Sequence, residues 1–431
     1  MTPYIDSYYT RTLADRRGRP ALAGTQKADV CIVGAGLAGL TTGLELQRAG
    51  RSVILLEAEA VGWGASGRNG GFVSPGYSRG LASLEGAIGE EPARRLYDLS
   101  IEGMNIVAQN IRDLGITDAQ RVDGIFRVIR YEDADGLQRF RQRLRERHNY
   151  PLDFWETDKV REKLVSTKYF QALLDPQAFH IHPLNYARAL AAAIEAAGGR
   201  IFENSRAVSV DLDKPEKIIR TTAGEVRAEH VVFTGGGYTD RLVPKLRGSQ
   251  LPIATYVLVT EAAPDRLAGA IRTRAAALDD RRASDYYRLV DDGRRLLWGG
   301  RITTRTSEPR ELAEMLRRSI TDTYPQLKGI AIDAAWTGLM SYARHLMPQI
   351  GQLQPKVWHC LGFGGHGLNT TAIGGRVVAE AITGRSDRIR QFEPFGLVWN
   401  GGPAGTAAVQ LTYWHHQARD WLRERRAASA G

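Results

Sequence analysis

Gly34, Gly36 and Gly39 stand at the spacing by which a backbone cradles a pyrophosphate. The first permits a tight turn, the second lets the chain approach phosphate oxygens, and the third lets a helix pack closely on the strand before it. Gly34-Ala35-Gly36-Leu37-Ala38-Gly39 follows the apolar run 29–33 directly and opens a helical stretch, 40–48, that runs out at Gly50. A helix start offers unpaired N–H groups and a positive dipole end to an anion. A second apolar run, 53–56, ends in Glu57, a carboxylate placed to accept hydrogen bonds from a ribose diol. Strand, glycine turn, helix, strand and terminal acid predict a dinucleotide site, but they do not separate FAD from NAD. Residues 62–71, GWGASGRNGG, favour FAD. The small residues, with Ser66, Arg68 and Asn69 among them, suit a loop wrapped around a large cofactor.

The elements that must position these groups alternate as in a mixed α/β protein. Strands are expected at 125–131, 200–202, 251–261 and 357–361, with a β-meander over 207–232 and an antiparallel pair around Asp291-Asp292-Gly293. Helices are expected at 134–148, 185–197, 309–324 and about 371–382, and residues 413–426 could form a basic amphipathic helix. The second glycine-rich turn, 362–367, joins a strand to a helix near the far end of the chain. Such a tail helix more often packs on its own domain than on a membrane surface.

A length of 431 residues exceeds one hydrophobic core and predicts two lobes. Hydrophobic residues at 43% and charged residues at 25% exclude a disordered chain. Cys31 and Cys360 are the only cysteines, too few for a disulfide scaffold or a thiolate zinc site, and both sit in apolar runs as inert thiols would. His180 and His182 alternate as on a strand, yet no carboxylate or cysteine partner has suitable spacing, so no metal is expected. The net charge of +10 is dispersed, which argues against nucleic acid. No apolar run of eighteen residues exists, residues 1–24 lack a secretory h-region, and a cytoplasmic location is the expectation.

Residues 28–74, with ADVCIVGAGLAGL and then VILLEAEAVGWGASGRNGG, resemble the D-amino-acid-oxidase-like flavoenzymes, nearest the branch of γ-glutamylputrescine oxidase. The likeness continues through 175–186, 231–237, Tyr287-Arg288, 298–301 and the GFGGHGLN of 362–369. It implies a two-lobed α/β (α+β) fold: a Rossmann-like FAD domain and a substrate domain on a large, mostly antiparallel sheet. The implied FAD domain comprises 28–85, 175–245 and 335–395, and the substrate domain 86–174 and 246–334, with 1–27 an extension and 396–431 a tail.

Carried over by residue, Gly34, Gly36, Leu37, Ala38 and Gly39 would hold the pyrophosphate and Glu57 the ribose. Ser66, Gly67, Arg68, Asn69, Gly70 and Gly71 would run along the cofactor, and Val208 would meet the adenine through its backbone. Gly235, Gly236 and Gly237 would pass close to the dinucleotide. Gly365, His366, Gly367, Leu368 and Asn369 would approach the flavin, where a helix start stabilises negative charge. For the substrate, Arg344 is the best carboxylate binder, with Tyr256 and Tyr287 beside it and His345 as the alternative inward residue.

The resemblance also implies the reaction: hydride passes from the carbon next to an amine nitrogen to FAD, and the imine is hydrolysed. O2 then reoxidises the flavin to give H2O2. Two departures qualify this. No cysteine lies in 336–342, where the family's sarcosine oxidases attach FAD, so FAD is expected to be non-covalent. Leu368-Asn369 follow the GHG turn where those enzymes place a lysine, which leaves a quinone or carrier protein open as acceptor. A non-catalytic basic protein on a Rossmann-like fold is the reading from a different class.

Overall fold

The structure is a computed structural model that describes residues 4–281, 285–304 and 311–430, the last five of these by backbone alone. Among the described residues the strands form two sheets. The first runs in the order Gln349–Gln354, Val357–Leu361, Gly224–Phe233, Gly24–Val33, Val53–Leu56, Arg200–Phe202. All its neighbours pair in parallel except the Gln349–Gln354 edge, and the Ser209–Asp211 and Lys217–Arg220 strands hang from Gly224–Phe233 in antiparallel fashion. Its central strands are apolar on both faces: Val30, Cys31, Ile32, Ile54 and Leu55 are wholly buried. That composition suits a parallel sheet covered by helices on both sides.

Two of those helices carry the site, Leu37–Arg48 and Gly367–Thr383. They cross where Gly375 meets backbone: a Cβ there would lie 2.7 Å from the Thr42 nitrogen. The long helix Glu90–Asp113 approaches the second of them at Gly103, whose Cβ would lie 2.2 Å from the Asn369 oxygen. Glycine at these crossings sets the helix spacing, and through it the position of both helix starts.

The second sheet has nine strands in the described residues, running from Ile332–Tyr342 through Leu251–Thr260, Arg295–Thr303, Tyr286–Val290, Ala276–Asp279, Val122–Val128 and Ala172–His180 to Phe72–Val73. Its one parallel pairing joins Ala276–Asp279 to Val122–Val128. The face turned from the cavity packs on helix Leu312–Thr323 through Tyr287, Trp298 and Tyr324, with the Tyr287 and Trp298 rings stacked at 4.4 Å. Mixed sheets of this kind match the expected fold class.

Several boundaries differ from those expected. The two site helices begin at Leu37 and Gly367, earlier than 40 and 371, each taking residues of its glycine-rich turn into its first helical turn. The 125–131 strand is Val122–Val128. Helix 309–324 is Leu312–Thr323, and residues 309–310 lie outside the described residues. His182 is not on a strand: it caps helix Pro183–Ala196, its Nδ1 accepting from the Asn185 N–H at 3.1 Å. His180 ends its strand, with Nδ1 against the Arg288 guanidinium and Nε2 against the Arg274 carbonyl, both at 3.0 Å. The tail helix is Gly402–Ala430, longer than 413–426. Cys31 and Cys360 are fully buried, and burial raises both thiol pKa values.

Burial also sets an acid limit on stability. His180 and His182 are held down at about 3 and His359 at about 4, loss of hydration being the largest cause in each. In the unfolded chain a histidine titrates near about 6.5. Between the two values the unfolded state binds protons that the folded state refuses, so stability is full above about pH 6.5 and falls on acidification by up to about 1.4 kcal/mol per pH unit per histidine. Thermal unfolding is therefore expected several degrees lower at pH 5 than at pH 7. An equal Tm at both pH values would contradict the burial of these rings.

Candidate active site

A cavity of ≈ 1220 Å³ lies between the C-terminal ends of the parallel strands and the inner face of the second sheet. At one end the chain leaves strand Gly24–Val33 and turns at Gly34, whose φ of +110° favours glycine. A Cβ at Gly34 would lie 2.8 Å from Thr234 Oγ1, and one at Gly36 would lie 2.9 Å from Ser66 Oγ. Gly34, Gly36, Leu37 and Ala38 line the cavity and Gly39 does not. Gly39 stands behind the turn, where its Cβ would lie 2.0 Å from the Gly34 oxygen.

Glu57 lines the same end. Its Oε2 accepts from the Ala35 N–H at 2.8 Å and its Oε1 from the Glu59 N–H at 3.0 Å. Burial raises its pKa, while these N–H bonds oppose the rise. The two donors fix the carboxylate and leave it oxygen lone pairs to offer a diol. Val208 does not line the cavity: its N–H bonds to the Arg220 carbonyl, its side chain is exposed, and the neighbouring Ala207 lines the wall instead.

The 62–71 loop splits between wall and support. Ser66, Asn69, Gly70 and Gly71 line the cavity, as do Gly235, Gly236 and Gly237 opposite them. Ser66 Oγ accepts from the Leu37 N–H at 2.9 Å and ties the loop to the first helix start. Asn69 donates to the Ala65 and Ser66 carbonyls and accepts from the Gly71 N–H. Gly67 and Arg68 face away from the cavity. Gly67 packs on the Gly62 oxygen, 2.4 Å from where its Cβ would be. Arg68 stays buried beside the one-turn helix Ala65–Gly67, donating to the Trp63 carbonyl at 2.7 Å with its guanidinium 4.0 Å from the Trp63 ring centre. These contacts brace the loop.

The second helix start closes the other side. Gly365, His366, Gly367, Leu368 and Asn369 all line the cavity. Ser78 Oγ accepts from the Gly365 N–H at 2.9 Å, and Asn369 donates to the Gly76 carbonyl at 3.1 Å, pinning the turn against the 76–78 segment. His366 Nδ1 is buried with no hydrogen-bond partner. Burial, with a smaller push from Arg127, lowers its pKa to about 4. The ring is neutral at pH 7, with its Nδ1 enclosed by protein.

The substrate face corrects two expectations by one residue each. Tyr256 and Tyr287 are buried in the core behind the sheet, and the Tyr287 hydroxyl pairs with that of Tyr324 at 2.7 Å. Their neighbours Thr255 and Tyr286 line the cavity, because side chains alternate faces along a strand. Tyr342, Arg127 and Tyr131 join them, none with a distinguishing local pattern in the sequence. Arg344 does line the cavity, exposed at its rim. His345 does not: its ring is spent on the Gly396 carbonyl and the Met347 N–H.

A helix start for the phosphates, a fixed carboxylate for the ribose and a second helix start for the flavin, all along one cavity of ≈ 1220 Å³, fit FAD. Among the described residues no cluster of three or more potential metal ligands occurs, and no helix is long and apolar enough to cross a membrane.

Residues 29–381 match the family model described as FAD dependent oxidoreductase. The chain is 34% identical over 394 residues to gamma-glutamylputrescine oxidoreductase of Escherichia coli K12, covering 91% of this chain and 92% of that one. It is 24% identical to glycine oxidase of Geobacillus kaustophilus, covering 88% and 99%. The fold superposes on the crystal structure of glycine oxidase from Geobacillus kaustophilus with a TM-score of 0.73 at 22% identity, over 86% of this chain and 98% of that one. For L-proline dehydrogenase from P. horikoshii the TM-score is 0.70 at 17% identity, over 88% and 100%.

Proposed function

The chain belongs to the family of FAD-dependent oxidoreductases that act on amines or amino acids, and we propose that it oxidises an extended amine bearing a carboxylate at its far end. One observation carries the reading: Arg344 stands at the rim of the FAD-sized cavity, with no ion pair of its own among the described residues. A guanidinium there holds a carboxylate bidentately and turns the opposite, amine end inward. The named activity of the Escherichia coli relative concerns a substrate of that form.

FAD supplies the two-electron acceptor for the hydride leaving the carbon next to the amine nitrogen, and the imine product is hydrolysed by water to a carbonyl compound and an amine or ammonia. The 34–38 turn would hold the pyrophosphate, Glu57 the ribose, and the 365–369 turn the flavin. The substrate amine must arrive unprotonated, and a neutral His366 in the cavity wall adds no positive charge beside it. Tyr286, Tyr342 and Thr255 form the wall that shuts water from the reacting carbon.

O2 is the proposed acceptor, giving H2O2. A quinone or carrier protein is the second reading, favoured by the position after the GHG turn: Leu368 is buried and the Asn369 amide is spent on the Gly76 and Ser100 carbonyls, so no cation stands there. The test is turnover of FAD-loaded protein with γ-glutamylputrescine, sarcosine, glycine, pipecolate and D-amino acids, scored as carbonyl product. The expected result is turnover of the carboxylate-bearing extended amine ahead of the short amino acids. Preference for glycine or sarcosine would sink the reading. Comparing O2 with a soluble quinone in the same assay separates the two acceptors.

A further inference from the structure

We propose that the outer face of the C-terminal helix, Gly402–Ala430, docks on an anionic lipid surface. Eight large apolar side chains are exposed among the described residues, and six of them lie from Val398 to Leu422. Three are tryptophans: Trp399 is 68% exposed, Trp414 56% and Trp421 52%. Tryptophan is on average a highly buried residue, so such clustering marks an interaction surface. On the helix, Leu411, Trp414, Trp421 and Leu422 fall within a stripe about 100° wide at 3.6 residues per turn.

The opposite side of the helix is already used. Val409, Thr412 and Tyr413 line the cavity and Glu424 pairs with Arg130 at 3.1 Å, while Gln410, at the edge of the stripe, accepts from the Thr304 N–H at 3.0 Å through its Oε1. The stripe therefore points to solvent.

Charge selects the partner. The acids of the helix, Asp420 and Glu424, lie on the partly buried side together with Arg423, whose guanidinium sits over the Tyr131 ring at 5.6 Å, whereas Arg419 flanks the stripe and Arg425 lies within it, both exposed. Arg425 lies 3.9 Å from the ring centre of Trp421, which places cation and aromatic side by side as an interfacial helix requires. A chain of net charge +10 is drawn to an anionic bilayer as a whole. A second copy would set the same arginines against one another across a two-fold axis. The helix lies beyond residues 29–381, so the family match assigns it nothing.

The experiment is co-sedimentation of full-length, FAD-loaded protein with vesicles of phosphatidylglycerol and phosphatidylcholine, against phosphatidylcholine alone, at low salt. Binding to the anionic vesicles is expected, with tryptophan emission moving to shorter wavelength. The Trp414→Ser/Trp421→Ser double variant should bind at least about tenfold more weakly, since each ring buries apolar surface in the interface. Arg419→Gln and Arg425→Gln should each cost about fivefold. Turnover in solution should be unchanged in all of these, because none of the altered side chains lines the cavity. Equal binding to both vesicle types, absence of binding, or indifference to the tryptophan changes would overturn the proposal. A concentration-dependent dimer abolished by the same double variant would assign the face to a second copy and overturn it equally.

Discussion

Replacing Gly39 with alanine is expected to yield a folded protein that purifies without FAD. A Cβ at this position would lie 2.0 Å from the Gly34 oxygen and 2.9 Å from Thr234 Oγ1. The first contact is with backbone, which has no rotamer to give, so the helix start must move off the strand. That displacement shifts the backbone of residues 36–38, which line the cavity, while leaving the rest of the core intact. Overpacking of this kind costs about 1–3 kcal/mol, which raises the FAD dissociation constant by about 10- to 100-fold when it falls on the bound state. Gly86→Ala is the control. That glycine lies in helix Leu81–Ile88 with nothing within 4 Å of a Cβ, so the variant should remain yellow. Unchanged FAD content in Gly39→Ala, with circular dichroism matching the parent, would contradict the placement of the pyrophosphate at this turn.

Arg344→Ala is expected to raise KM for a carboxylate-bearing amine by about 10- to 100-fold with kcat little changed. A charge-assisted bond to a carboxylate is worth about 1.5–3 kcal/mol, and one made far from the reacting carbon is present alike in ground and transition states. Arg344→Lys should recover part of the loss, because the charge remains and the bidentate fork does not. The corresponding amine lacking the carboxylate should be turned over equally by parent and variant. A fall in kcat with KM unchanged would show that Arg344 acts elsewhere in the reaction and would remove the argument for a distal carboxylate.

The first βαβ unit was legible because each of its constraints is local. Gly34 needs positive φ, Gly39 needs contact without a Cβ, and Glu57 ends its strand two residues before the Glu59 N–H that helps hold it. The turn before Gly367 shares only the first of these needs, positive φ at Gly362 and Gly364. What the sequence left unread depends on faces. Tyr286 and Tyr287 are equally apolar and equally suited to a strand, and only the pairing of Tyr286 with Gly299 on the neighbouring strand decides which ring meets the cavity. A Cβ at Gly299 would lie 2.1 Å from the Tyr286 ring, so a glycine in one strand makes room for an aromatic in the next, across a loop that local pattern does not bridge.

Arg68 shows the opposite difficulty. Its place in a polar, glycine-rich loop pointed to the cofactor, but a one-turn helix rotated it onto Trp63 and the Thr337 carbonyl, 269 residues away. Val208 was one residue from the wall for a similar reason, its N–H already committed to the Arg220 carbonyl. Tyr413 could not have been placed at all, since its contact with the cavity depends on where the last helix returns to the sheet.

Reduction by an amine of flavin held in this cavity is the step on which every other proposed role depends. The visible spectrum of purified protein, followed during anaerobic titration with the same panel of amines, tests that directly. The expected result is a yellow protein whose flavin absorption bleaches with one equivalent of an extended, carboxylate-bearing amine and returns on readmission of air. A protein that takes up no FAD, or that stays yellow through the whole panel, would contradict it.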